Sequence, residues 1–132
     1  MILAGGCFCG ALRYEVTAAP FNQSNCHCSM CRRSSAAPFT AWFSAPRVGV
    51  RFTQGTLNYF RSSAAAQRGF CGNCGTQLTF EEDGAQEIDL SLCSLDDPEQ
   101  LPPLDHIHTV SQLTWIKLDD GLPQYRNRRS QG

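Results

Sequence analysis

Alternation of apolar and polar residues with a period of two recurs along the chain and predicts short β-strands. In Ala11–Val16, for example, Leu12, Tyr14 and Val16 fall on one face and charged residues on the other. Five more segments carry strand signals: 39–44, 47–52, 56–60, 76–80 and 87–92. Short strands separated by frequent turns are typical of a sandwich or a curved sheet.

Turn and helix signals complete this prediction. The sequence Glu82-Asp83-Gly84 indicates a hairpin between two of the strands, and Gln54-Gly55 indicates a turn. Helical signals are short: Asp97-Pro98 resembles a helix start, and Ser29–Ala37 has room for one or two turns. We therefore predict a mainly β single domain with short helical turns over residues 1–132, in which 126–132 form a frayed basic tail.

Composition and charge narrow the function classes. The 132 residues are 42% hydrophobic and 17% charged, which is too apolar for a disordered chain. A formal net charge of −1 gives no attraction to nucleic acid or to an anionic membrane. No apolar run approaches a membrane span, and residues 1–6 lack the features of a signal peptide. We expect a cytoplasmic protein with no nucleic-acid and no membrane partner.

Eight cysteines are unusual for such a chain. Clustered cysteines in a reducing compartment more often bind metal or act in catalysis than form disulfides. Seven of them fall into three short motifs and the eighth stands alone: Cys7 and Cys9; Cys26, Cys28 and Cys31; Cys71 and Cys74; Cys93.

Two of the motifs pair their thiols and are each followed by glycine. Cys7 and Cys9 precede Gly10, and Cys71 and Cys74 precede Gly75. Four thiolates are the complement of a closed, tetrahedral structural zinc site. The alternatives are a redox C-x-x-C motif or reduced core cysteines, but no βαβ pattern surrounds the C-x-x-C motif.

The third motif offers only three thiols. Zinc with three protein ligands keeps an open fourth position, which distinguishes catalytic from structural sites. Three thiolates and Zn²⁺ sum to −1, and so weak a Lewis acid favours thiol chemistry over hydrolysis. Completion of the site by a histidine would make it structural instead. The candidates are His27, His106 and His108, of which the last two alternate with Ile107 and would share a strand face.

The order C-x-C-G, C-H-C-x-x-C-R-R and F-C-x-x-C-G, with a late His-Ile and a Trp before Asp-Gly-Leu-Pro, resembles the glutathione-dependent formaldehyde-activating family. That family also includes centromere protein V. The resemblance runs from about residue 5 to 125. It implies a zinc-stapled β-tent fold with two zinc ions, one structural and one catalytic. The implied ligands are Cys7, Cys9, Cys71 and Cys74 for the structural ion, and Cys26, Cys28 and Cys31 for the catalytic ion.

The resemblance further implies a carbon–sulfur lyase that adds glutathione to formaldehyde, giving S-hydroxymethylglutathione. Its partners would be a small-molecule thiol and an aldehyde. Arg32 and Arg33 are candidates to offset the anionic site or hold a substrate carboxylate, or else are solvated surface charges. Two other functions stay open: a non-catalytic zinc-stapled binding module, and a thiol redox enzyme that uses Cys93.

Overall fold

The computed structural model describes residues 2–129, and within them the fold is mainly β with one short α-helix. The elements in chain order are β1 Leu3–Gly6, β2 Arg13–Val16, β3 Phe21–Cys26, α1 Ser29–Ser35, β4 Thr40–Pro46, β5 Val50–Gln54, β6 Asn58–Arg61, β7 Ala66–Phe70, β8 Gln77–Glu82, β9 Glu87–Ser91 and β10 Asp105–Ile107. Short 3₁₀ turns lie at Arg47–Gly49, Leu92–Ser94, Pro98–Gln100 and Thr109–Ser111. The predicted mainly β single domain with short helical turns is confirmed.

The strands form two sheets. The smaller sheet has the order β1-β2-β5, and the larger has the order β10-β3-β4-β9-β8-β7-β6. All neighbouring pairs are antiparallel except β10 and β3, which are parallel. The one parallel pair brings Ile107 beside Cys26, so a late segment of the chain flanks the third cysteine motif.

The main core lies where residues of both sheets meet. Tyr14, Phe43, Leu78 and Leu90 have no exposed surface. The Tyr14 hydroxyl hydrogen-bonds the Ser94 hydroxyl at 2.6 Å, which satisfies its polar group inside the core. Burial raises the pKa of Tyr14 to about 12, so this side chain stays neutral.

Most predicted strands are present, with shifted ends. The alternating segment 11–16 contains β2, and its predicted inner face is buried. The hairpin between β8 and β9 turns at Gly84, whose φ is +75°. The prediction for residues 47–49 is wrong, because they form a 3₁₀ turn that leaves Val48 99% exposed.

Two strands that carry the site have no clear alternation in the sequence. Strand β3 is polar along most of its length, and β7 contains Arg68 at a buried position. Both are held by pairing on each side, β3 between β10 and β4, and β7 between β6 and β8. Backbone pairing with both neighbours, rather than side-chain hydrophobicity, therefore explains why these two segments form strands.

The basic tail, expected to fray, packs where the structure describes it. The guanidinium of Arg129 donates to the buried Asp105 carboxylate and to Asn22 Oδ1 at 2.9 Å. This ion pair ties residue 129 to the edge of the larger sheet. Residues 130–132 of the predicted tail lie outside the described residues.

Helix α1 follows directly on the third cysteine motif and is seven residues long. Cys28 caps its first turn, since the Cys28 sulfur accepts from the backbone N–H of Cys31 at 3.3 Å. Ala36 ends the helix in the left-handed conformation, with φ +52°. In residues 2–129, no helix has the length and apolar character needed to cross a bilayer.

The left-handed backbone conformation of Ala36 should reduce the stability of the protein. Glycine adopts this conformation without the steric cost that the alanine Cβ carries. We expect Ala36→Gly to raise the free energy of unfolding by about 1 kcal/mol, measured by urea denaturation. Ala37→Gly is the matched control and should lower stability, because Ala37 has no positive φ. Equal losses in both variants would contradict the assignment of strain to Ala36.

Candidate functional site

Four sulfur atoms from two loops far apart in the chain meet in one place. The sulfurs of Cys7, Cys9, Cys71 and Cys74 all lie within 4.8 Å of one another. The Cys7–Cys9 and Cys9–Cys71 sulfur distances are 3.6 and 3.8 Å. Four sulfurs around a tetrahedral zinc at about 2.3 Å would be about 3.8 Å apart. The group therefore has the spacing of a four-coordinate metal site.

Backbone turns aim N–H groups at these sulfurs. Gly10 and Gly75 close the two loops with φ of +82° and +84°, a conformation that other residues rarely adopt. The Leu12 amide donates to the Cys7 sulfur at 3.2 Å, and the amides of Asn73 and Cys74 donate to the Cys71 sulfur at 3.4 Å. Such donors stabilise thiolates, which are the form that binds metal.

Thr76 joins the two loops. Its hydroxyl accepts from the Phe8 amide at 3.1 Å and contacts the Cys74 sulfur at 3.2 Å. The hydrogen bond from Thr76 lowers the pKa of Cys74 to about 5. Cys74 therefore favours the thiolate form at neutral pH.

The third motif forms a second, smaller group. Cys26 ends β3, Cys28 caps α1, and Cys31 lies in its first turn, and the three sulfurs lie within 4.8 Å of one another. Cys26 and Cys31 are buried, whereas Cys28 is half-exposed. Hydrogen bonds from the Cys26 and Cys31 thiols lower the pKa of Cys28. Three convergent sulfurs of this kind fit a metal ion with three protein ligands.

No fourth ligand completes this group among residues 2–129, because no histidine, cysteine or carboxylate joins the three sulfurs within the same spacing. The proposed completion by His27, His106 or His108 is therefore not found in the structure. His108 adopts a left-handed conformation, with φ +56°, which breaks the strand alternation and separates it from His106. The expected pair of histidines on one strand face is wrong for this reason.

His27 points instead into a polar chain behind the cysteines. Its Nε2 is 2.9 Å from His106 Nδ1, and His106 Nε2 is 2.7 Å from an Asp120 carboxylate oxygen. Both rings are buried, with Phe39 packed against His27 at a centroid distance of 4.8 Å. Burial lowers the pKa of His27 to about 4, so its ring is neutral. This chain fixes the backbone between Cys26 and Cys28.

The three-cysteine group opens onto a cavity of about 380 Å³. Trp42, Phe80 and Ile107 pack against the sulfurs and form its apolar wall. Asp89 and His108 also line it. The site is thus a group of three sulfurs, with the spacing of a metal site, at the wall of a cavity large enough for a small organic molecule.

One residue of this cavity escaped the sequence analysis. Arg68 lies in β7, is only 7% exposed, and places a guanidinium nitrogen 3.9 Å from the Cys31 sulfur. The segment has no alternating pattern, and only an assumed strand over residues 66–70 would have put Arg68 on the same face as Ala66 and Phe70.

The other candidate residues are dispersed. Arg33 lies on α1 and lines a neighbouring cavity of about 410 Å³ with Met30 and Phe60. Arg68, which contacts the Cys31 sulfur at 3.9 Å, lowers the pKa of Cys31, against the larger effects that raise it. Cys93 is exposed in a 3₁₀ turn and belongs to neither sulfur group.

Comparison with known sequences bears on these two sulfur groups. The family model described as glutathione-dependent formaldehyde-activating enzyme matches residues 2–111, which include all seven clustered cysteines. The chain belongs to this family. The resemblance seen in the order of cysteine motifs is confirmed.

Two individual proteins are also similar to this chain. An uncharacterized lyase of Schizosaccharomyces pombe is 36% identical over 76 residues, which are 58% of this chain and 55% of the relative. The chain thus spans about half the length of that yeast protein. A putative glutathione-dependent formaldehyde-activating enzyme of Halomonas elongata is 23% identical over 90% of this chain and 82% of its own.

A crystal structure of a Rhodobacter sphaeroides protein has the same fold. It superposes with a TM-score of 0.59 at 21% identity and covers 92% of this chain and 98% of that one. The agreement supports the two-sheet architecture.

Removal of one ligand from the four-sulfur group tests its structural role. We expect Cys71→Ser to lose one metal ion per chain and to lower Tm by about 10 °C or more, because bound metal contributes folding free energy. Metal content is measured by elemental analysis and Tm by circular dichroism. Cys93→Ser is the matched control and should retain both values. An unchanged Tm in Cys71→Ser would contradict a structural metal there.

The raised pKa of Asp89, in the cavity wall, should make the stability of the protein depend on pH. Burial raises the pKa of Asp89 from 3.8 to about 6, although the Ser44 hydroxyl donates to it at 2.6 Å. The folded protein therefore binds this proton more tightly than the unfolded chain, and stability is lost as pH rises from about 4 through 6.

We expect Asp89→Asn to be more stable than the wild type by about 1–3 kcal/mol at pH 8, with a smaller difference at pH 5. Urea denaturation at the two pH values measures it. Asp83→Asn should show no such gain, because Arg61 lowers the pKa of Asp83 and favours its ionised form. A pH-independent difference in Asp89→Asn would contradict the raised pKa.

Proposed function

We propose that this protein is a zinc-dependent enzyme of the carbon–sulfur lyase type, which forms or cleaves an adduct between a thiol and an aldehyde. The observation that carries the proposal is the three-sulfur group with no fourth ligand among the described residues, at the wall of a cavity. The lyase and formaldehyde-activating names of the relatives support the reaction class.

The metal is proposed to be zinc at both groups. Sulfur-only ligand sets with the observed spacing suit zinc, and the four-sulfur group is closed whereas the three-sulfur group is open. Cys7, Cys9, Cys71 and Cys74 would hold the structural ion, and Cys26, Cys28 and Cys31 the catalytic ion. Zinc at the open group would supply a position at which a thiol substrate loses its proton.

The chain's own residues would organise the reactants. The apolar wall of Trp42, Phe80 and Ile107 excludes water from one side of the sulfur group. The cavity volume of about 380 Å³ accommodates an aldehyde beside the sulfur of a small thiol. Holding both molecules together supplies much of the rate, because a bimolecular reaction becomes effectively intramolecular.

The proposed reaction balances as a simple addition. The thiol sulfur forms a bond to the carbonyl carbon, the carbonyl π electrons move to oxygen, and the thiol proton ends on that oxygen. The product is a hemithioacetal, of which S-hydroxymethylglutathione is the example from glutathione and formaldehyde. The reverse step cleaves the same carbon–sulfur bond.

The proposal extends to partners and location. The substrates are a glutathione-like thiol and an aldehyde, with no nucleic-acid and no membrane partner. A cytoplasmic location fits the chemistry, because seven metal-binding thiols must stay reduced.

Substitution of a single ligand tests the open site. Cys28→Ser should lose the zinc of the three-cysteine group and reduce catalysed hemithioacetal formation at least 100-fold, because Cys28 is both a ligand and the cap of α1. Glutathione and formaldehyde serve as substrates, the exchange rate is measured by NMR, and metal content by elemental analysis. Cys93→Ser should retain two zinc ions and full activity.

Other outcomes favour the other two functions. Two zinc ions that resist mild chelation equally, without any turnover, would indicate a non-catalytic binding module. One zinc ion together with activity that depends on Cys93 would indicate a redox enzyme. Either result would overturn the proposed reaction.

A further inference from the structure

Arg68 is a buried cation without a carboxylate partner in the described part of the chain. It is 7% exposed, and none of the ion pairs within residues 2–129 includes it. Burial of an unpaired guanidinium is costly, so such a group needs a compensating negative charge. Among residues 2–129, the nearest group able to carry a negative charge is the Cys31 sulfur, at 3.9 Å.

The side chain is held rigidly in this position. Its guanidinium carbon lies 4.9 Å from the centre of the Phe80 ring and 6.0 Å from that of Trp42. One terminal nitrogen donates to Ser34 Oγ at 3.0 Å and to Gln77 Oε1 at 3.2 Å. These neutral contacts orient the cation without neutralising it.

Donor capacity remains on the guanidinium. A guanidinium carries five N–H groups in a planar fork, and within residues 2–129 the second terminal nitrogen has only the long contact to sulfur. Arg68 lines the same cavity as Cys26, Cys28 and Cys31. A small molecule in that cavity would therefore meet a positive, hydrogen-bonding group beside the three sulfurs.

We propose that Arg68 binds a negatively charged oxygen of the carbonyl substrate next to the three-cysteine group. This inference rests on the proposed function. When a thiol sulfur adds to the carbonyl carbon, the π electrons leave a negative charge on oxygen until a proton reaches it. A carboxylate carried by the aldehyde offers the same chemistry, and a guanidinium recognises both kinds of oxygen.

A binding experiment tests the subsite without any turnover. Formate is titrated into zinc-loaded protein that carries Trp115→Phe, so that Trp42, which packs near Arg68, reports by fluorescence. Arg68→Met should weaken formate binding at least tenfold, and Arg68→Lys should weaken it less, since lysine keeps the charge and loses the fork. Arg51→Met, at an exposed position, should bind as the wild type does.

Zinc content and circular dichroism are measured on every variant. If Arg68→Met binds formate as the wild type does, the subsite is overturned. If that variant also loses zinc, Arg68 serves only as a counter-charge to the sulfurs. If Arg68→Met does not fold, Arg68→Lys decides by the same criterion. The decision is independent of whether any thiol–aldehyde pair is turned over, so it stays distinct from a failure of the proposed reaction.

Kinetics then separate the two sources of the charged oxygen. With glutathione as the thiol, kcat/KM is measured for formaldehyde and for glyoxylate, which differs by its carboxylate. A loss in Arg68→Met of about 100-fold for both aldehydes, seen in kcat, would support binding of the addition oxygen. A loss confined to glyoxylate and seen in KM would support binding of the carboxylate. Unchanged kinetics with both aldehydes would overturn the proposal.

Discussion

Repulsion among closely spaced sulfurs is the interaction on which this fold depends. Two thiolates about 3.8 Å apart repel by about 4 kcal/mol at an effective dielectric constant of 20. The four-sulfur group contains several such pairs, contributed by loops that are 62 residues apart in the chain. A divalent cation bound there would convert this repulsion into attraction, so that metal binding and the joining of the two loops would be a single event.

Much of the fold follows from local sequence signals, and the exceptions have physical reasons. The period of two located β2, β8 and β9, because each has one face in the core. It failed for Val48, where Arg47–Gly49 forms a tight turn beside Ala18. It also missed β3 and β10, whose polar side chains lie in a strand pair defined by long-range backbone pairing.

The candidate site also has features that the sequence predicts and features that it does not. Cysteine spacing was enough to predict the two sulfur groups, because two pairs of thiols supply the four ligands of a closed site and the third motif supplies only three. The position of Arg68 was not predictable, because this residue comes from a strand distant in the sequence and meets Cys31 only after folding. The prediction that His106 and His108 share a strand face failed because His108 has a left-handed backbone, which the pattern of polar and apolar residues does not indicate.

The parallel pairing of β10 with β3 has a consequence for the order of assembly during synthesis. All ligands of the closed group have been translated once residue 74 is made, whereas the backbone of Cys26 and His27 gains its outer neighbour only with Ile107. The strand that carries Cys26 therefore completes its backbone pairing later in synthesis than the closed group obtains its last cysteine. If both groups bind metal as proposed, a nascent chain could bind an ion at the closed group before the cavity beside the open group has formed.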